Sequence, residues 1–333
     1  GWAAMGRYYY LSTFAKQEVE SALAGLDIEL ERELAKQQPS KTLLRNPFRT
    51  TFKQPDPAIE TIQNVQFGDF GQKLDIRRAR IRSDGIKQPV LLQIHGGAWT
   101  QNYGSKNEQA IPLMHHMARL GWVCVAASYR LSPAATFPEH IIDCKQALIW
   151  IKDHIAEYGG DPDFIAVTGG SAGGHLSSLL ALSANHAAFQ PGFEDRDTKV
   201  QAAVPFYGVY DFTDSARHNR NDGLLDILED SVMKRSLADN EVAFRDASPL
   251  SHISESAPDM LIIHGTADSL VPVAGARAFA DELKRTSSQK SFYLELAGAQ
   301  HAFDMFPSVR SEYVKFGVEK FLTASHQNYL NSH

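Results

Sequence analysis

Apolar positions recur along this chain with two different periods. From Ser12 to about Gln38, Val19, Leu23, Leu26, Leu30 and Leu34 return every three or four positions, while Glu18, Glu20, Glu29, Glu31, Glu33 and Lys36 fill the other face. This spacing predicts one amphipathic helix, ended by Pro39. Positions 39–58 are rich in Pro, Lys, Arg and Thr and read as a surface linker. Strand patterns follow at Asn64–Phe70 and Lys73–Arg82. Beyond them strands and helices alternate: strand Val90–Ile94, helix Glu108–Leu120, strand Trp122–Ala127, helix Glu139–Tyr158, strand Phe164–Thr168, a helix from His175 to Leu182, and strand Gln201–Phe206. The chain ends with strand Met260–His264, helix Val273–Arg285, strand Ser291–Leu296 and helix Ser308–Thr323.

Alternation of this kind predicts an α/β fold, a mostly parallel sheet with helices on both faces. Several strands are continuously apolar, as a sheet covered on both sides requires. The alternation breaks at about 211–257, where short helical patterns suggest an insertion above the sheet's carboxyl edge. Leu224, Leu225, Ile227 and Leu228 are read first as packing that insertion onto the core and second as lining a pocket. The expected organisation is a helical segment at 1–55, crossing the site as part of a helical cap, and a catalytic domain at 56–333 that carries the insertion. A dimer arm is the second reading of the N-terminal helix.

Chemistry enters at Gly169-Gly170-Ser171-Ala172-Gly173-Gly174, between the strand Phe164–Thr168 and a helix. A serine on a tight strand-to-helix turn is a candidate nucleophile, and glycines two before and two after it allow strand and helix to approach. By itself this five-residue pattern is common in loops. Its company decides. The run His95-Gly96-Gly97-Ala98-Trp99 follows another apolar strand, and its turning backbone can aim N–H groups into one cavity. The expected oxyanion donors are the N–H groups of Gly97, Ala98 and Ala172, with His95 and Gly96 supporting the loop. Asp268 and His301 follow later strands, so the chain order is Ser171, Asp268, His301. Duller readings exist: Asp268 as the cap of the helix at Val273, and His301 as an ordinary loop histidine. His264, four before Asp268, is a rival base at a strand end and is read as structural.

These residues, together with Ser128-Tyr129-Arg130-Leu131-Ser132-Pro133, resemble the hormone-sensitive-lipase-like esterase group of α/β-hydrolases, from about residue 60 to the end. The resemblance implies an α/β-hydrolase fold with a helical cap. It implies a serine carboxylesterase acting on short- to medium-chain esters without a cofactor, with Ser171, His301 and Asp268 as nucleophile, base and orienting acid. Tyr129 and Arg130 are structural in that group. Three departures stand out. Ala98 replaces a third glycine, which keeps the backbone N–H. Gly170 stands where aspartate is common, and Ser128 and Ala134 replace two carboxylates near the site. An amidase of arylformamidase type, a feruloyl-esterase-like hydrolase, and a non-catalytic protein on a hydrolase scaffold are the competing readings.

Composition narrows the rest. The 333 residues are 43% hydrophobic, enough for a large core, and the net charge of −6 comes without a basic, aromatic-rich stripe, which excludes nucleic acid as an expected partner. Cys124 and Cys144 are read as small buried hydrophobes rather than a disulfide, and no zinc spacing is present, so no metal is expected. No apolar run is long enough to span a bilayer. The start, from Gly1 through Trp2 to Tyr8, Tyr9 and Tyr10, is aromatic and lacks an initial methionine, as in a processed, tagged or truncated start. Packing on the chain's own body is preferred to peripheral membrane contact for these aromatics. A small-molecule ester is the expected partner, a monomer or homodimer the expected state, and the cytoplasm the favoured compartment, with membrane association left open.

Overall fold

The computed structural model describes residues 10–39, 56–81, 85, 87–101, 103–214 and 222–333. The aromatic start up to Tyr9 and most of the expected linker lie outside these residues; Tyr10 is described, largely exposed and edge-on to Phe14. One eight-stranded sheet organises the rest: β1 (Ile59–Gln66), β2 (Lys73–Ala79), β3 (Gln88–Ile94), β4 (Val123–Ala127), β5 (Gly160–Gly170), β6 (Ala202–Phe206), β7 (Asp259–Gly265) and β8 (Ser291–Leu296). Their order is β1-β2-β4-β3-β5-β6-β7-β8. β2 pairs antiparallel with both β1 and β4, and every later pairing is parallel. The first strand starts earlier than the sequence pattern suggests. It bulges between Ile62 and Val65, with Asn64 at φ 58°, which blurs the alternation expected of an edge strand.

Two apolar layers cover the sheet. Val90, Leu92, Ile94, Ile165 and Val167 face the helices α4 (Glu139–His154), α5 (Ala172–Leu182) and α8 (Val273–Thr286). Leu91, Phe164, Ala166, Val204 and Phe206 face α3 (Ile111–Arg119) and the C-terminal α9 (Val309–Ser332). Within β3, residues Val90 to Leu92 and Ile94 are apolar and at most 1% exposed; Gln93 interrupts them and is itself fully buried. Between β6 and β7 come α6 (Asp222–Ile227), a π-helical turn (Leu228–Met233) and α7 (Glu241–Asp246).

The N-terminal helix differs from expectation in two ways. It is split into α1 (Ala15–Ala22) and α2 (Ile28–Lys36), because Gly25 takes φ 87° and Asp27 begins a new helix by accepting from the N–H groups of Glu29 and Leu30. Nor does any of its described residues line the cavity that holds Ser171 and His301. Val19, Leu23, Leu26, Leu30 and Leu34 are instead buried in the layer shared with β8 and α9. Gly317 of α9 makes room there, since a methyl group at that position would lie 2.7 Å from Val19 Cγ1. Glu18 reaches further and accepts a 2.9 Å hydrogen bond from the N–H of Ala297, at the end of β8.

Candidate active site

Ser171 joins β5 to α5 at φ 58° and ψ −121°, a backbone conformation costly for a residue with a side chain. It is held by neighbours on both sides: its N–H donates to the Phe206 carbonyl at 3.0 Å, and its carbonyl accepts from the N–H of His175 at 2.9 Å. Gly169 and Gly173 are required by close packing. A methyl on either would collide with the carbonyl oxygen of Ile94 at the end of β3. Gly170 is required for another reason: a methyl there would sit 2.7 Å from Tyr207 Oη. The tyrosine ring therefore occupies the space that an aspartate before the serine would need.

The loop after β3 turns sharply, with Gly97, Ala98 and Trp99 at φ 119°, 51° and 59°. Gly97 and Ala98 line the cavity that contains Ser171, and neither of their N–H groups finds an acceptor among the described residues. Ala172 is buried as the first residue of α5, where helical N–H groups lack intrahelical partners. Gly96 donates to Gln109 Oε1 at 2.6 Å. His95 stacks on Tyr129, whose hydroxyl donates to the His95 carbonyl at 2.9 Å. Burial pushes His95 down to about 4, so it is a neutral prop. Trp99 anchors the loop from below. Its indole N–H donates to His175 Nδ1 at 3.1 Å, and His175 Nε2 donates to the Ala247 carbonyl at 2.7 Å. That pair of bonds fixes one neutral tautomer, and burial lowers His175 to about 3.

Asp268 and His301 sit on adjacent loops that are stitched together. Thr266 N–H donates to the Leu296 carbonyl, Ala267 N–H to the Ala299 carbonyl, and Gly298 N–H to Thr266 Oγ1 at 2.8 Å. Asp268 Oδ2 lies 2.7 Å from His301 Nδ1, while Oδ1 accepts from the N–H groups of Leu270 and Val271. Burial alone would raise this carboxyl. The contacts with His264 and His301 and the backbone N–H of Val271 outweigh it and hold Asp268 well below the usual range. The helix at Val273 has Pro272 at its N-cap, so Asp268 is not its cap. His264 is fully buried beneath Asp268 and lies outside the cavity. Its Nε2 is 3.4 Å from Asp268 Oδ2 and 2.9 Å from the Val271 carbonyl, and it donates to the nearer oxygen.

Ser171 and His301 line the same cavity, which has a volume of about 420 Å³. No hydrogen bond joins Oγ to the imidazole among the described residues, a common state before substrate tightens the site. Ile227 contributes to the wall, Leu228 is buried in the core, Leu224 packs partly against that core, and Leu225 is partly exposed. Sequence reasoning missed Tyr207 and Asp304. Tyr207 Oη donates to Asp304 Oδ1 at 2.5 Å, and its ring lies 4.6 Å from that of His301. Burial raises the Asp304 carboxyl, and the tyrosine bond offsets only part of that rise. Gln93 and Gln109 on the wall were missed as well. Among the described residues no three His, Cys, Asp or Glu side chains gather as a metal site, and no described helix is long and apolar enough to cross a membrane.

Sheet order, elbow and loop placement together define an α/β-hydrolase fold. The chain belongs to the BD-FAE family, whose profile matches residues 74–283. It is similar to the "Probable carboxylic ester hydrolase LipM" of Mycobacterium tuberculosis, 54% identical over 78% of this chain and 60% of the relative. It is also similar to "Esterase LipQ" of the same organism, 47% identical over 78% of this chain and 61% of the relative. The chain thus spans about three fifths of the length of these two relatives. Among solved structures, the butyrate-bound Est2 esterase of Thermogutta terrifontis superposes with a TM-score of 0.65 at 26% identity, covering 80% of this chain and 94% of Est2.

Proposed function

We propose that this protein is a serine-dependent carboxylic ester hydrolase of neutral, short- to medium-chain esters. One observation carries the reading: the Asp268-paired imidazole of His301, the strained Ser171 and the Gly97 and Ala98 backbone, whose N–H groups have no acceptor among the described residues, border one cavity. In this reading His301 Nε2 takes the proton of Ser171 as its Oγ attacks the ester carbonyl. The N–H groups of Gly97, Ala98 and Ala172 hold the resulting oxyanion, each worth about 3 kcal/mol in comparable sites. The proton passes to the departing alcohol, and water activated by the same imidazole then releases the acid from Ser171. Asp268 keeps the imidazole in the tautomer with the proton on Nδ1 and stabilises its cation. The names of LipM and LipQ support ester hydrolysis.

A finite cavity favours finite chains. A series of p-nitrophenyl esters should show kcat/KM falling beyond medium acyl lengths, and rates flat or rising through long acyl chains would contradict the reading. A fluorophosphonate should label the wild type and leave Ser171→Ala unlabelled. The amidase reading predicts instead that matched anilides are cleaved at least as fast as the esters.

A further inference from the structure

The two amide donors on the loop after β3 are aimed by whatever holds their peptide planes. A peptide unit is flat and stiff, so fixing its carbonyl turns its N–H the opposite way. In the plane between Gly96 and Gly97, the Gly96 carbonyl accepts from His95 Nδ1 at 2.8 Å, and the Gly97 N–H has no acceptor among the described residues. In the plane between Gly97 and Ala98, the Gly97 carbonyl accepts from the N–H of Thr100 at 2.9 Å, and the Ala98 N–H has no acceptor there either. These two clamps lie within the loop. They set its internal shape, while its place against Ser171 depends on bonds to other elements.

The preceding plane, between His95 and Gly96, is gripped from outside at both ends. Tyr129 Oη donates to its carbonyl at 2.9 Å, and its N–H donates to Gln109 Oε1 at 2.6 Å. The Gly96 N–H can only donate, so the oxygen of the carboxamide must face it. Gly96 is also where the loop touches the turn that carries the nucleophile. A methyl group there would collide with the Gly170 carbonyl oxygen and would lie 3.2 Å from Ser171 Cβ and 3.1 Å from Gln109 Oε1. Gln109 therefore holds the loop at its contact with the nucleophile's turn.

Two further observations mark the position. The chain leaves Gln109 through Ala110 at φ 53°, a left-handed backbone costly for alanine, before α3 begins at Ile111. Gly104, on the returning limb of the loop, packs over the bond: a methyl there would lie 2.6 Å from the Gly96 carbonyl oxygen and 2.7 Å from Gln109 Nε2.

We infer that Gln109 is a positioning residue for ester hydrolysis, which by holding the Gly96 N–H sets the N–H groups of Gly97 and Ala98 where the oxyanion forms. The inference rests on the ester-hydrolase reading and deepens it. Oxyanion donors are effective because they are fixed before charge develops. Without the carboxamide the part-buried Gly96 N–H loses its acceptor. A turn of its plane towards a new partner would swing the two following planes away from Ser171.

The test removes the acceptor and keeps the volume. In Gln109→Met, kcat for p-nitrophenyl acetate should fall about tenfold to a hundredfold with KM within about twofold of wild type, because the lost aim acts on the transition state. Inhibition by a trifluoromethyl ketone, which Ser171 converts to a tetrahedral oxyanion, should weaken by the same factor as kcat/KM. The pH midpoint of kcat/KM should not move, since the imidazole is untouched. Gln109→Asn, which withdraws the acceptor by one methylene, should fall between. A residue needed only for stability would lower Tm and leave kcat and ketone affinity alone.

Unchanged kcat and ketone affinity in folded Gln109→Met would overturn the inference. A raised KM with kcat intact would do so too, since it would mark a substrate contact, and a shifted pH midpoint would place the effect on His301 instead. If Gln109→Met does not fold, Gln109→Asn carries the same comparison, and failure of both would show a residue required by the fold itself and end the inference. Hydrolysis of p-nitrophenyl acetate by the wild type, lost in Ser171→Ala, separates the two levels. Without it the ester-hydrolase reading fails and takes this inference with it; with it, an unaffected Gln109→Met strikes Gln109 alone.

Discussion

In the proposed mechanism Asp268 and His301 divide their work by environment. Asp268 is tied by two backbone N–H groups and His301, so its charge is fixed in place, while the imidazole of His301 reaches the cavity. Asp268→Asn should preserve the fold and lower kcat on the order of 10⁴-fold, because an amide favours the wrong imidazole tautomer. His301→Ala should cost at least as much, whereas His264→Ala should act mainly through stability. Steady-state kinetics on protein shown to be folded by circular dichroism distinguishes these outcomes; a larger kcat loss for His264→Ala would reassign the base. Ser171, Asp268 and His301 were legible in the sequence because each ends a strand-like run in a known order. Tyr207 and Asp304 were not, since their hydrogen bond joins positions 97 apart and neither lies in a recognisable pattern.

At the level of elements, the turn between β5 and α5 is shaped by what surrounds it. Glycines at 169 and 173 were legible from the motif, because strand and helix must nearly touch there. The demand at Gly170 was invisible, since Tyr207 comes from the end of a different strand. Gly170→Ala should destabilise the protein by roughly 1–3 kcal/mol, as expected for overpacking. The penalty should shrink in the Gly170→Ala/Tyr207→Ala double variant, and a double-mutant cycle from urea denaturation measures the coupling. The helix pair α1 and α2 teaches a related lesson. Its apolar stripe told that one face is buried, but not which partner buries it. Leu23 is fully buried beside α9, and Leu23→Ala should cost roughly 2–5 kcal/mol in the same assay. A loss below about 0.5 kcal/mol would mean that this helix contributes little to the core.

For the molecule as a whole, the parallel sheet and its two helical layers were readable because covered strands are continuously apolar. Element ends were less readable; the helix expected from Glu108 begins at Ile111, after Ala110 takes φ 53°. Acid sensitivity is a property of the same scale. His95, His140 and His175 are lowered by burial to about 4, 3 and 3. Unfolded histidines titrate near pH ~6.5. Between that pH and the folded values the unfolded chain therefore binds more protons, so stability rises with pH across this window and is lost as pH falls through it. Urea midpoints should be flat above about pH 7.5 and decline steadily from about pH 6.5 towards 4. His175→Gln should decline less steeply, and an unchanged slope would show that this histidine is not held neutral.

The hydrogen bond from Ala297 to Glu18 spans 279 positions and fastens the stretch just before His301. The stretch that leads to His301 is therefore braced from an element remote in sequence, and Glu18→Ala should loosen that bracing.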